Sequence, residues 1–128
     1  MMNKQIISTD KAAAAIGPYS QGVQAGNLLF VSGQVPLDPA TGELIAENPI
    51  QAHTTRALTS LKAIVEQAGG TLDNVVKTTV FLKNMDDFVE MNRVYKTFFA
   101  TDCPARSAVQ VAKLPKDVLV EIEAIAVL

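Results

Sequence analysis

The chain has no tryptophan, two tyrosines, one cysteine (Cys103) and one histidine (His53). A single cysteine excludes an internal disulfide. One histidine beside one cysteine is too few ligands for a zinc site of the usual kind. Neither Gly-x-Gly-x-x-Gly nor Gly-x-x-x-x-Gly-Lys occurs, so the common phosphate-cradling loops are missing. There is no basic excess: the net charge is −2, and Lys4, Lys11, Lys62, Lys77, Lys83, Lys96 and Lys113 are scattered rather than aligned. With few aromatics to stack bases as well, nucleic acid is not expected as the primary partner. No apolar run approaches the about 18 residues that would cross a bilayer, so no membrane partner is expected. The opening Met1-Met2-Asn3-Lys4-Gln5-Ile6-Ile7 lacks a signal-peptide core, and the expected location is cytoplasmic.

What is present is a globular composition, 48% hydrophobic over 128 residues, which suits one domain covering residues 1–128. Lys4 to Ser8 reads as a short edge strand. Gln21 to Ala25 and Leu28 to Ser32 flank Gly26-Asn27 as a hairpin. Asn48-Pro49-Ile50-Gln51 looks like a helix start, with Asn48 as cap, Pro49 in the first helical position and Gln51 closing a capping box. Ala57, Leu58, Leu61, Ile64, Val65 and Ala68 follow at helical spacing, and Gly69-Gly70 ends the run. Val75 to Leu82 is a strand by its Val and Thr content. Asn84 caps a second helix with apolar positions Phe88, Met91, Val94, Tyr95 and Phe98. Ser107 to Val111 and Val118 to Val127 complete the strands. The result is an α+β fold, a β-sheet with two helices on one face.

The last strand says what the other face does. Val120, Ile122, Ala124 and Ala126 point one way and suit packing under helices, whereas Leu119, Glu121, Glu123, Ile125 and Val127 point the other way. That second face is too apolar for water, yet it holds two acids. A homo-oligomer that buries it, with ligand pockets near the subunit interfaces, meets both conditions.

Asp102-Cys103-Pro104-Ala105-Arg106-Ser107-Ala108 puts an arginine into a short apolar strand shortly before those acids. Charges are costly to bury unless paired or used. A guanidinium fork fits a carboxylate through two bonds, and a nearby glutamate can hold a water against whatever is captured. This suggests a site for a small carboxylic acid. The alternative is a structural Arg106 paired with Glu121 or Glu123. Glu123 reads as structural, pairing a basic residue at an interface; Cys103 as a packing residue; His53 as solvent-facing or hydrogen-bonded; Lys116 and Asp117 as turn residues.

Several segments in order carry a family resemblance: Ile16-Gly17-Pro18-Tyr19-Ser20-Gln21, Val31-Ser32-Gly33-Gln34-Val35-Pro36, Thr78-Thr79-Val80-Phe81-Leu82, Met91-Asn92-Arg93-Val94-Tyr95, Pro104-Ala105-Arg106-Ser107, and Leu114-Pro115-Lys116 with Val120-Glu121-Ile122-Glu123-Ala124. The chain resembles the Rid family, the reactive intermediate deaminases. The resemblance implies a chorismate-mutase-like fold and a homotrimer with active sites in the clefts between subunits, without metal or organic cofactor. It implies hydrolysis of 2-iminobutanoate and 2-iminopropanoate to 2-oxo acids and ammonia. These imines arise from 2-aminocrotonate and 2-aminoacrylate released by pyridoxal-phosphate-dependent dehydratases, and their removal protects other pyridoxal enzymes. By the same resemblance Arg106 binds the substrate carboxylate, helped by backbone donors around Ser107 and Ala108. Glu121 positions the hydrolytic water, Tyr19 lines the pocket and orients substrate or water, and Ser32 and Asn92 contribute to the cleft. At Ala108 many relatives carry a cysteine, and its absence here argues against a nucleophilic thiol.

A competing function is a non-enzymatic binding module or sensor for short 2-oxo acids that uses the same arginine. A ribonuclease fits poorly with the charge and the single histidine, and a chorismate-mutase-like isomerase shares the fold but not the motifs.

Overall fold

The computed structural model describes residues 3–47 and 49–128. Six strands and two helices form the frame: β1 (Lys4–Ile7), β2 (Gly22–Ala25), β3 (Leu28–Gln34), α1 (Ile50–Gln67), β4 (Val75–Leu82), α2 (Phe88–Phe98), β5 (Ala105–Gln110) and β6 (Val120–Val127). They build one mixed sheet in the order β1-β2-β3-β6-β4-β5, antiparallel except for the β4–β5 pair. Strand β6 returns between β3 and β4, so β3-α1-β4 and β4-α2-β5 are two crossovers that step in the same direction. Crossovers of one hand that step the same way place their helices on the same face. Accordingly α1 packs on β3, β6 and α2.

The alternation expected on β6 is present. Val120, Ile122, Ala124 and Ala126 are buried beneath the helices, together with Leu29 and Val31 of β3 and Val80 and Leu82 of β4. From α1, Ala57, Leu58, Leu61, Ile64 and Val65 close this core, and Met91 and Tyr95 join it from α2.

The opposite face lies open. Ile6, Val23, Phe30, Ile125 and Lys77 stand in one row across five strands, and Glu121, Phe81 and Val109 in another. Phe30 is 43% and Val109 42% exposed. An apolar surface on this scale is what a partner surface covers.

Some local expectations change. Pro49 stands before the first turn of α1 rather than inside it, and the proposed cap Asn48 lies outside the described residues. Gln51 forms no capping box; its Nε2 instead donates to Glu90 Oε2 of α2 at 2.7 Å and ties the helices together. Asn84 does cap, accepting from Asp86 N–H at 2.9 Å, but it opens a single 3₁₀ turn, Met85–Asp87, that leads into α2. Cys103 is exposed and its thiol donates to Phe99 O at 3.2 Å, so it is not a packing residue. His53 is buried. Its Nε2 donates to Glu47 O at 3.0 Å, because a carbonyl can only accept. Gly69, at φ +94°, ends α1 as expected, and Gly70 N–H returns to Val65 O at 3.1 Å.

The segment before β2 is held by one buried side chain. Gln21 Oε1 accepts from Thr9 N–H at 2.7 Å, and Nε2 donates to Thr9 O at 3.1 Å and Ala13 O at 2.8 Å. Gln21→Ala leaves these backbone groups unpaired, and a loss of about 1–3 kcal/mol is expected, the cost of unsatisfied buried polar groups. Equilibrium denaturation at fixed protein concentration reads it as a lower midpoint with an unchanged slope.

Candidate active site

Arg106 lies on β5, an edge strand whose outer side pairs with nothing in the sheet. It sits opposite Thr78 of β4 and therefore points toward the helices. There its Nη1 donates to Asn92 Oδ1 at 2.7 Å, and its guanidinium carbon is 4.7 Å from the Tyr95 ring centre and 5.5 Å from that of Phe88. Tyr95 is fixed in turn by a 2.7 Å hydrogen bond to Thr78 Oγ1. Among the described residues the ion pairs are Lys83–Asp117 and Arg93–Glu90, so Arg106 has no carboxylate partner. The reading in which Arg106 pairs Glu121 or Glu123 is thereby corrected. All its partners are neutral: the amide fixes the fork and the rings attract the cation, but none cancels the charge. The surrounding cleft is about 580 Å³ and is bordered also by Lys96, Phe99 and Cys103.

Ala108 is on the same face as Arg106, opposite Val80. Val111 N–H donates inward to Leu82 O at 3.0 Å. Successive N–H groups along a strand point to opposite edges, so Ala108 N–H turns to the free edge and Ser107 N–H turns to β4. Ser107 Oγ accepts from Lys77 Nζ at 3.3 Å on the open face.

Glu121 occupies a different cavity, of about 290 Å³, lined by Ala13, Ile16, Tyr19, Leu37 and Pro115 among others. Tyr19 is half exposed on the loop after Gly17-Pro18, and its N–H donates to Gly17 O at 2.8 Å. Ser32 Oγ donates to Ser20 O at 2.6 Å, which pins that loop to β3. The Glu121 carboxyl lies against the backbone of Gly33. Burial is the main cause of its raised pKa, and the negative charge of Glu123 adds to it. Glu123 is exposed and makes no ion pair among the described residues.

The candidate residues thus fall into two groups. Arg106, Asn92 and Ala108 face the helices at the edge of the sheet; Ser107, expected beside them as a substrate contact, instead turns its side chain to the open face and its N–H to β4. Tyr19, Ser32 and Glu121 gather on the loop and the open face. Glu121 is opposite Phe81, which is opposite Val109; Arg106, three residues before Val109, has the other parity. One chain does not bring its cation and its acid together. Sequence reading missed Phe88 and Tyr95 as the seat of Arg106, having placed them only in the α2 core. Their spacing with Asn92, at i, i+4 and i+7, puts all three on one helix face and was the available signal.

Among the described residues no cluster of three or more His, Cys, Asp or Glu could hold a metal ion, and no helix is long and apolar enough to cross a membrane.

Residues 9–128 match the endoribonuclease L-PSP family. A RutC family protein of Pyrococcus abyssi is 52% identical over 125 residues, 98% of each chain. The 2-iminobutanoate/2-iminopropanoate deaminase of Escherichia coli K12 is 52% identical over 94% of this chain and 95% of its own. The crystal structure of E. coli TdcF with bound serine superposes with a TM-score of 0.91 at 49% identity, covering 97% of this chain and 98% of that one. A mixed six-stranded sheet with two helices on one face is the fold shared with these relatives. The chain belongs to the endoribonuclease L-PSP family, also called the RutC or Rid family.

The environment of Glu121 sets a sign. A carboxyl whose pKa is raised by folding contributes stability that is fully present below the ordinary carboxylate range. That contribution is lost as pH rises through the folded value. In a carbon-detected NMR titration Glu121 is expected to ionise above the usual glutamate range. Glu123→Gln removes a like charge and should move the midpoint down. A Glu121 midpoint that does not respond to Glu123→Gln would contradict this coupling.

Proposed function

We propose that the protein hydrolyses short 2-imino acids to 2-oxo acids and ammonia, in a cleft completed by a second copy of the chain. The observation that carries this reading is an arginine fork presented at a free edge with only neutral partners. A site of that kind suits a small carboxylate. The name of the E. coli relative supplies the imine, and the serine held by TdcF is likewise a small molecule with an α-carboxylate.

In the proposed reaction Arg106 holds the substrate carboxylate through two bonds, with Ala108 N–H at the same edge as a further donor. Asn92 keeps the fork in place. Across the cleft, Glu121 of the second copy accepts a proton from water as the water oxygen bonds to the imine carbon. The C=N π electrons move to nitrogen, which takes up a proton. The proton of the carbinolamine hydroxyl then passes to the nitrogen, the C=O bond forms as the C–N bond breaks, and the nitrogen leaves as ammonia. An imine carbon is already electrophilic, so orientation and a proton acceptor are the main requirements. A carboxylate made more basic by burial is the better acceptor. Tyr19 borders the same cavity and orients water or substrate. Ser32 holds the Tyr19 loop through Ser20 O, which makes it a support for the pocket.

A homotrimer explains the open face. It covers Phe30, Ile125 and Val109, and it brings the β5 edge of one subunit to the Glu121 cavity of the next. A nuclease reading would have to work with a net charge of −2 and a buried His53.

The test is 2-oxo acid formation from serine- and threonine-derived imines generated by a dehydratase. Arg106→Ala and Glu121→Gln are each expected to abolish the acceleration. The two inactive variants, refolded together, should recover about one quarter of the sites, because random pairing joins an intact Arg106 to an intact Glu121 in one interface of four. No recovery would place both groups in one subunit's site. Binding of 2-oxobutanoate without turnover would indicate a sensor instead.

A further inference from the structure

We propose that Gly33 is a positioning residue for the hydrolytic step, its missing side chain being the seat on which the Glu121 carboxylate rests. This builds on the reading of Glu121 as the base.

Three observations converge on Gly33. The first is contact: a Cβ placed on Gly33 would overlap Glu121 Oε2 and lie 2.8 Å from Cδ and 3.0 Å from Cγ. The end of the acid thus lies flat on the β3 backbone.

The second is conformation. Gly33 is not among the glycines with positive φ, unlike Gly17, Gly26, Gly42 and Gly69. Its φ lies outside the left-handed region that favours glycine, so the space that a missing Cβ leaves is what glycine supplies here.

The third is the β3–β6 register, which breaks at this point. Val31 opposes Ala124 and Gln34 opposes Ile122, leaving Ser32 and Gly33 together across from Glu123. Such a bulge re-aims the strand, and here it brings the Gly33 backbone up to the next acid along β6. The bulge is also held in place, because Ser32 N–H donates to Gln21 O at 2.9 Å and Ser32 Oγ to Ser20 O at 2.6 Å. When a methyl group appears at position 33, the backbone is anchored and the flexible end of Glu121 is what yields.

Gly33→Ala therefore separates stability from function. The thermal midpoint and oligomeric state should match wild type. Arg106 is untouched, so KM should change little. The fall should be in kcat, by about 100-fold, the cost of misplacing a catalytic group by about 1 Å. The acid limb of kcat/KM should also move to lower pH, since the displaced carboxylate gains solvent; a merely structural role for Gly33 would leave that limb where it was. Wild-type kcat with an unshifted limb, in a protein that Glu121→Gln inactivates, would overturn the Gly33 assignment alone. Full activity of Glu121→Gln would overturn the functional reading beneath it. If Gly33→Ala does not fold, adding Glu121→Ala should restore folding by removing the clash, and a double variant that still fails to fold would sink the proposal.

Discussion

Strand β6 must satisfy two environments at once, and the rest of the molecule follows from how it does so. One side inserts Val120, Ile122, Ala124 and Ala126 into the core under α1. The other side presents Glu121 and Glu123 among Ile125, Phe81 and Phe30, on a face with no helix to cover it. An acid on an apolar sheet pays a desolvation penalty in its charged form, and that penalty makes Glu121 a stronger proton acceptor than a solvated glutamate. The burial comes from its own cavity, where Ala13, Ile16, Leu37 and Pro115 lie around it, whereas Phe30 and Ile125 stand further along the same open face beside Glu123.

The treatment of Arg106 is the complement. An aspartate in place of Asn92 would hold the guanidinium as firmly, but it would neutralise the charge and occupy the fork. The amide oxygen accepts one bond at 2.7 Å and leaves the cation's remaining donors free. Tyr95 and Phe88 add attraction through their rings, worth about 0.5–1 kcal/mol each at accessible sites, which steadies the side chain without competing for its hydrogen bonds. The Thr78 hydroxyl locks the Tyr95 ring from below. The arginine is thus oriented by neutral groups, and its charge stays available for an incoming anion.

Much of the frame was legible because it depends on periodicity. The α1 stripe, the β4 span and the two faces of β6 follow from residue spacing, and each appears where that spacing puts it. Helix starts were less legible. Gln51 finds a better partner in Glu90, thirty-nine residues away, and no local pattern announces such a partner. Cys103 looked like a small apolar residue, but Pro104 and the left-handed Asp102 bracket it in an exposed turn. The separation of Arg106 from Glu121 was the least legible feature. Whether two residues on different strands share a face depends on the strand between them and on register. Here the parallel β4–β5 pairing and the antiparallel β4–β6 pairing together give them opposite parity.

Topology explains why this separation is not a defect. Because β6 returns between β3 and β4, Glu121 comes to the middle of the sheet, against the β3 bulge at Ser32 and Gly33. Because β5 is added last to the same side, Arg106 goes to the rim, where Ala108 N–H is also unpaired. No side-chain rearrangement within one chain joins a rim to a centre across two strands and two faces. In the proposed homo-oligomer the rim of another copy would meet that centre, with the apolar open face against it. An acid and a cation kept apart in this way, by strand order and by parity, cannot neutralise each other within one chain.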